Sequence, residues 1–450
     1  MTLDGKSKGD VSFSPHWSVI LWRGNLLPAT AGAVYATVAV ISGEVDMTSV
    51  FVIAFSAAVS VALLLRAEWK RRRTVLEIGS GLLKATDPYC EKSMRLESCW
   101  IAETDPMSVH RLFGGVRVRV FSDSSHRAWI STVLSSESAD RMTECFSRYC
   151  DAEEYHSAET ILSGGFSAAI HAITSEFTML TIAVAALLTL FGGVSDMMNL
   201  LASALLMAAV FNALLITVNS RGLSVCRRQG GYDVTLGLFG AKRLLIPDRS
   251  VDGVRVHCSP ADIPCGTGTM ELICFGGRRI PCICRSELCR LERISRRLTG
   301  TNAENGILLS DIDALRRKYT RLLATALSTM VPAVYVSFRS EDEITSFFAG
   351  TAAAVIFTEV IRCCVGLQCA SRFGIKVTPS VVFTGGMSML GADYCFYKRG
   401  SVAGVRMSSP LLMRTRDLCG AAPFPRGGRR YVRGDCIPYS AMKGFADRFC

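Results

Sequence analysis

Long uncharged apolar blocks alternate along this chain with mixed polar segments. A helix needs roughly 20 apolar residues to cross the hydrocarbon core of a bilayer. Six blocks approach that length: Asn25–Ser42, Met47–Leu65, Phe177–Ser195, Met197–Ser220, Leu322–Phe338, and a block from Ile344 that stays uncharged only to Thr358. They fall into three pairs, joined by short links at Gly43 to Asp46, around Asp196, and from Arg339 to Glu343. Such links leave no room for a domain, so each pair predicts a helical hairpin that re-emerges on the side it entered. The expected order is a polar N-terminus over 1–24, hairpins over 25–66, 161–220 and 322–362, and water-soluble segments over 74–152, 221–300 and 371–450. The stretch Ile161 to Glu176 reads as an interfacial helix feeding the third span.

Charge sets the expected sidedness. Lys6, Lys8 and Arg23 precede the first block, and Arg66 and Lys70 to Arg73 follow the second. Arg221 follows the fourth, the cluster from Arg316 to Arg321 precedes the fifth, and Arg362 follows the sixth. The links carry Glu44, Asp46, Asp196, Glu341, Asp342 and Glu343. By the positive-inside rule all three hairpins place both termini and every large segment in the cytoplasm, at the cell membrane.

The soluble segments repeat. Ser250-Val251-Asp252-Gly253-Val254-Arg255 matches Ser401-Val402-Ala403-Gly404-Val405-Arg406, and Ser259-Pro260 matches Ser409-Pro410. Gly276-Gly277-Arg278-Arg279 corresponds to Gly427-Gly428-Arg429-Arg430. The first copy diverges, with Asp105-Pro106 in place of Ser-Pro. Its Val116-Arg117-Val118-Arg119-Val120 alternates as a half-buried strand does. Each segment ends in an amphipathic stripe: Met142, Phe146 and Tyr149; Leu288, Leu291, Ile294 and Leu298 with Ser286 as N-cap; Met442, Phe445 and Phe449. The chain therefore reads as a triplicated unit. The expected fold class is α-helical membrane hairpins alternating with small α+β domains, each a run of antiparallel strands closed by one helix in the manner of a pleckstrin-homology-like (PH-like) β-barrel.

A hairpin, a basic patch, the stretch from Ser220 to Pro260 and a closing helix together resemble the bacterial PH-like domains of the YdbS/YdbT-type membrane proteins. Leu76 to Leu82 leading into the first copy, and Ile437-Pro438-Tyr439 leading into the last helix, fit the same pattern, and three units resemble the longer, YdbT-like members. The third copy departs from it at Phe424-Pro425-Arg426-Gly427-Gly428, which should interrupt its strands. The resemblance implies a membrane-bound, non-enzymatic protein and supplies no catalytic residues.

Composition narrows the chemistry. The formal net charge of +11 gathers at the edges of the apolar blocks, which points to an anionic bilayer surface and away from nucleic acid. Arg71, Arg72, Arg73, Arg227, Arg228, Arg278, Arg279, Arg316, Arg317, Lys318, Arg429 and Arg430 are the candidate contacts for anionic lipids or partner membrane proteins. The 18 cysteines lie mostly in segments expected to be cytoplasmic and reduced, and Cys282, Cys284 and Cys289 lack the knuckle spacing and nearby histidines of a zinc site. No phosphate-binding loop or paired-histidine metal motif is present, and Gly165-Phe166-Ser167 is an incomplete nucleophile elbow that ends in Ala169, with His171 nearby. No enzyme, cofactor or metal is expected. The leading expectation is a scaffold or sensor at the membrane; the alternative is a six-span transporter or channel, for which the pair Glu359 and Arg362 is the only charge inside the apolar blocks' reach.

Overall fold

The computed structural model describes residues 11–21, 23–42, 46–96, 99–105, 110, 113–122, 128–149, 161–162, 165–191, 196–220, 222–228, 231–236, 242–274, 278–299, 308–340, 342–409, 413, 416–425 and 432–446. Lys6, Lys8, Glu44, Arg221, Gly276, Gly277, Glu341, Gly427, Gly428, Arg429, Arg430 and Phe449 lie outside the described residues, as do the side chains of Tyr149, Arg227, Arg228 and Phe445.

The apolar blocks form helices α1 (Arg23–Ser42), α2 (Met47–Arg73), α4 (Gly165–Thr174), α5 (Glu176–Phe191), α6 (Asp196–Ser220), α9 (Ile312–Arg339) and α10 (Glu343–Cys369). Four of them, α2, α6, α9 and α10, are long and apolar enough to cross a membrane, which fits a multi-pass membrane protein. Among the described residues this is fewer than the six spans expected. The 16 residues of α5 rise only about 24 Å at 1.5 Å each, short of a ~30 Å core. Its axis continues into α4 across a bend of 50°, and the two make a fifth span only if taken together. In α1 the apolar stretch among described residues is Pro28–Val40, shorter still.

The acidic links have a local job. Asp46 caps α2 by accepting the Ser49 amide at 2.8 Å, and Asp342 caps α10 by accepting the Thr345 amide at 3.0 Å. Bonds from the Ser49 amide and hydroxyl hold the Asp46 carboxyl below its ordinary value, and bonds from the Thr345 hydroxyl and amide do the same for Asp342.

The element order recurs three times. The first copy runs β1 (Val11–Phe13), the hairpin α1–α2, β2 (Val75–Gly79), β3 (Leu82–Thr86), β4 (Glu91–Arg95), then β5 (Cys99–Asp105), β6 (Gly115–Ser122), β7 (Ala128–Ser135) and α3 (Ser136–Tyr149). The second runs β8 (Ile161–Leu162), the helices α4 to α6, β9 (Ser224–Arg228), β10 (Gly231–Leu236), β11 (Lys242–Pro247), then β12 (Val251–Cys258), the short α7 (Asp262–Cys265), β13 (Thr267–Cys274), β14 (Arg278–Glu287) and α8 (Leu288–Thr299). The third runs β15 (Leu308–Leu309), α9–α10, β16 (Gly374–Val377), β17 (Val381–Met387), β18 (Ala392–Lys398), then β19 (Val402–Ser408), β20 (Leu418–Pro425), β21 (Gly434–Pro438) and α11 (Tyr439–Ala446). A short strand precedes every hairpin and pairs with the first strand after it: Ser12 with Glu77, Ile161 with Val225, and Leu309 with Ile375. The hairpin is thus inserted between two paired strands, and residues 11–13, read from sequence as part of a plain N-terminus, belong to the first sheet.

The chain divides into two compact units, Met1–Glu159 with Cys226–Thr235 and Phe239–Arg249, and Thr160–Val225 with Leu236–Leu238 and Ser250–Cys450. In the first unit, β1-β2-β3-β4 form one sheet, and β7-β6-β5-β11-β10 with residues Cys226 to Arg228 of β9 form another. Phe13, Leu76, Ile78, Leu83, Val118, Val120, Leu134, Met142 and Phe146 make its core. In the second unit, seven strands follow the order β14-β13-β12-β18-β17-β16-β15, and β19-β20-β21 form a separate sheet. Ile273, Ile375, Val382, Tyr397, Val402, Cys419, Ile437 and Met442 pack together there. The small side chains of Ala185, Ala202 and Ala353 let the helices of its two hairpins approach closely around Leu188.

The sheets are open, and none closes into the barrel expected from the sequence. The second half of one copy instead pairs edge to edge with the first half of the next. β5 pairs antiparallel with β11, Glu103 facing Leu244, and β12 pairs antiparallel with β18, Arg255 facing Cys395. Two further expectations change. Ser286 lies inside β14 and does not cap α8, whose buried face is Leu291, Ser295 and Thr299. Phe424 and Pro425 extend β20 to its last pair with Val402, at the end of a ladder where proline is tolerated, so they do not interrupt the third copy.

Candidate functional site

Two places gather charge where helices meet sheets. The first, in the first unit, is a cleft of about 490 Å³ at the C-terminal end of α2. The apolar stretch of α2 ends at Leu65, and the next turns place Arg66, Ala67, Lys70 and Arg71 on its wall. Lys92 of β4 closes the opposite side, with Val19, Leu63, Leu76, Trp129 and Ile130 as apolar lining. Four cations thus face one acid, Asp87. The amides of Tyr89 and Cys90 bind Asp87 at 2.8 and 3.0 Å, and the Tyr89 amide chiefly holds its carboxyl below the ordinary value. Lys70 lies 3.9 Å from Asp87 and stays half exposed. The chemistry of this cleft suits a phosphate head group with acyl chains alongside the apolar part of α2.

Of the residues chosen from sequence, only Arg71 lines this cleft, and it is bound at 2.7 Å to Glu68. Arg72 shares Glu68 at 2.6 Å, and Arg73 stacks on Trp69 at 4.7 Å from the ring centroid. Lys318 is paired with Asp435 at 2.9 Å, while Arg316 and Arg317 are exposed on α9. Arg278 and Arg279 sit at the start of β14, in the second unit. Arg66, Lys70 and Lys92 are contacts that the sequence reading missed. Arg66 and Lys70 count there only toward sidedness, and Lys92 reaches the cleft through strand pairing that no local pattern announces.

The second place, in the second unit, is a chain of buried charge. Arg255 and His257 alternate with Val254 and Val256 along β12, so they share one face. The Arg255 guanidinium donates to Glu271 of β13 at 2.7 Å and to Asp393 of β18 at 2.8 Å. His257 Nδ1 shares a hydrogen bond of 2.7 Å with the same Asp393, and its Nε2 lies 3.7 Å from Glu176. Burial alone would raise the Asp393 carboxyl. The bond with His257 and the Arg255 charge outweigh it and hold Asp393 below its ordinary value. Arg255 is held further above its ordinary value, because the two carboxylates overcome the penalty of burial. Its Nε is buried without a partner among the described residues.

Glu176 ties this chain to α5. It opens α5 just after the bend, where Ser175 bonds Thr178 at 2.8 Å, and its carboxylate sits at the positive end of the helix. It accepts from the Ser388 hydroxyl and from the Leu390 and Gly391 amides in the turn between β17 and β18. Gly391 is required there, since a Cβ would come within 2.1 Å of the Cys258 carbonyl. A second carboxylate, Asp262, accepts from Ser259 at 2.7 Å and Thr267 at 2.9 Å, and lies 3.2 Å from Arg285. His171 stands on α4, which packs against β14. The sequence offered one signal for all this, the charged alternation Arg255–His257 inside an apolar strand. Glu176, Glu271 and Asp393 come from distant segments.

Among the described residues no group of three or more metal-ligating side chains converges, and the described cysteines are free thiols. Cys282 and Cys284 are buried on β14 and Cys289 is exposed. Burial pushes the Cys282 thiol up to about 12. Glu359 and Arg362 pair with each other at 3.4 Å, both somewhat less than half exposed. Comparison of the chain with family models, with curated proteins and with solved structures gave no match.

Proposed function

We propose that this protein is a non-enzymatic membrane scaffold or sensor of the YdbT-like kind. Its PH-like modules sit at the cytoplasmic face of the cell membrane and respond to anionic lipid head groups of the inner leaflet. The observation that carries this reading is the cleft at the foot of α2: Arg66, Lys70, Arg71 and Lys92 converge just past the apolar part of a spanning helix, above apolar walls. The PH-like reading of the modules is supported by the recurring order of two antiparallel strand sets followed by a helix. The test is calorimetric titration of the detergent-solubilised protein with a short-chain anionic phospholipid and with the phosphatidylcholine of equal chain length. Saturable binding of the anionic lipid alone supports the reading; equal or absent binding of both sinks it.

A transporter is the second reading, and one observation favours it: a chain of ionisable side chains from Glu176 to Glu271 begins in the first turn of α5. Proton-driven flux into vesicles reconstituted with the wild-type protein, lost on Glu176→Gln, would displace the scaffold reading.

A further inference from the structure

We propose that the free edge of β19 is a docking site for an extended, largely apolar strand of a partner protein that carries an acidic residue opposite Ser408. The argument starts from the junction the chain builds twice. In both cases the fifth residue of the strand that opens a copy's second half faces the fourth-from-last residue of the next copy's third strand: Glu103 faces Leu244, and Arg255 faces Cys395. The third copy has the same donor strand, β19. Among the described strands β19 pairs only with β20.

Two features of β19 mark it as built for such a neighbour. The first is Gly404, the counterpart of Gly253. A Cβ on Gly253 would lie 2.2 Å from the Phe396 carbonyl, so glycine is what allows β18 to approach there. A Cβ on Gly404 would meet nothing within 4 Å. Glycine inside a strand costs stability and marks a place where another backbone comes close, and here the place is open. At the corresponding position β5 carries Ile101, and its pairing with β11 stops at Glu103, whereas β12 pairs with β18 as far as Gly253. The second feature is Arg406, the counterpart of Arg255. Arg255 has Glu271 across from it on β13 and Asp393 on the docked strand. Arg406 faces Ala422 on β20, is exposed, and has no acid bound to it among the described residues. An acid placed as Asp393 is, opposite the residue two beyond the arginine, would supply the missing charge.

The same register makes β4 of a second copy a poor occupant. The equivalent strand in the first copy is β4, which among the described strands pairs only with β3. Its fourth-from-last residue is Lys92, which would stand directly opposite Arg406, and like charges facing each other across strands destabilise the pair. Exposed Glu91, Lys92 and Arg95 make β4 a charge-blunted edge.

The probe is a fluorescent peptide of residues 390–398, with Cys395→Ser, titrated against the full-length protein in detergent. Expected are saturable binding, a loss of at least tenfold on Arg406→Glu that an Asp393→Arg peptide recovers, and abolition by Gly404→Val with an unchanged melting temperature. A peptide of residues 90–96, with Cys90→Ser, should not bind. Failure of the 390–398 peptide to bind, binding that survives Gly404→Val, or binding of the 90–96 peptide would each overturn the proposal. None of these results depends on lipid binding.

Discussion

Removing the Asp393 carboxylate should loosen the second unit's sheet and leave the first unit intact. Asp393 and Arg255 are 5% and 10% exposed at their side chains. Substitution to asparagine leaves the Arg255 guanidinium with Glu271, which is 25% exposed, as its only ion-pair partner among the described residues. Breaking a buried ion pair from one side costs about 3–5 kcal/mol. Glu271 remains, so the lower end applies, about 3 kcal/mol, or on the order of 100-fold in a local opening equilibrium. Cys395 reports that opening, because it faces Arg255 across the β12–β18 ladder and is fully buried, with its thiol pushed up to about 12 by desolvation. The assay is residue-resolved thiol labelling followed by mass spectrometry on the solubilised protein. Asp393→Asn should raise Cys395 labelling on the order of 100-fold and leave Cys99, buried in the first unit's core, unchanged. Adding Arg255→Met should recover most of the loss, since the uncompensated cation is then gone. A rise of only a few-fold at Cys395, or an equal rise at Cys99, would refute the reasoning.

Substituting Arg66, Lys70 and Lys92 together by glutamine should remove about 1 kcal/mol per charge, weakening the anionic short-chain lipid on the order of 100-fold, with no change in melting temperature. The acid limb of stability has a worked sign. Asp393 has its folded pKa below the ordinary 3.8, so its contribution is complete above 3.8 and is lost as pH falls below that value through the folded pKa. The melting temperature of the wild type should therefore fall more steeply below that pH than the melting temperature of Asp393→Asn; parallel curves would contradict this.

The parts of the fold legible in the sequence are those encoded by local periodicity. The apolar blocks gave α2, α6, α9 and α10 because their lengths suit a bilayer. The match of Val251 to Arg255 with Val402 to Arg406 located β12 and β19, each directly after a one-turn helix, at Asp248–Ser250 and Arg399–Ser401. What stayed hidden was non-local. Strands of two or three residues such as β8 and β1 carry no period, and their partners lie beyond an entire hairpin. The pairing of β5 with β11 and of β12 with β18 depends on chain ends meeting more than a hundred residues apart, so contiguous barrels were expected where open sheets shared by neighbouring copies formed. The missed boundary at Ser286 has a simpler cause: serine next to an amphipathic stripe looks like a cap, yet Gly268 faces it across β13–β14 and keeps it in the strand.

The candidate site divides in the same way. Arg71 was visible because basic residues at the end of an apolar block stand out. Most of that cluster, however, is bound to Glu68 and Trp69, and the cleft is completed by Lys92 from a strand. In the charged chain only Arg255 had been noted, and its partners are set by the β12–β18 junction.

The placement of all three modules on one cytoplasmic face is the claim on which the account most depends, and labelling with a membrane-impermeant maleimide tests it directly. Exposed Cys90 reports the first copy, exposed Cys265 and Cys289 the second, and Ser440→Cys at the exposed start of α11 the third. The account predicts that all four react in inverted membrane vesicles and none in intact cells. Labelling of any of them in intact cells would contradict it.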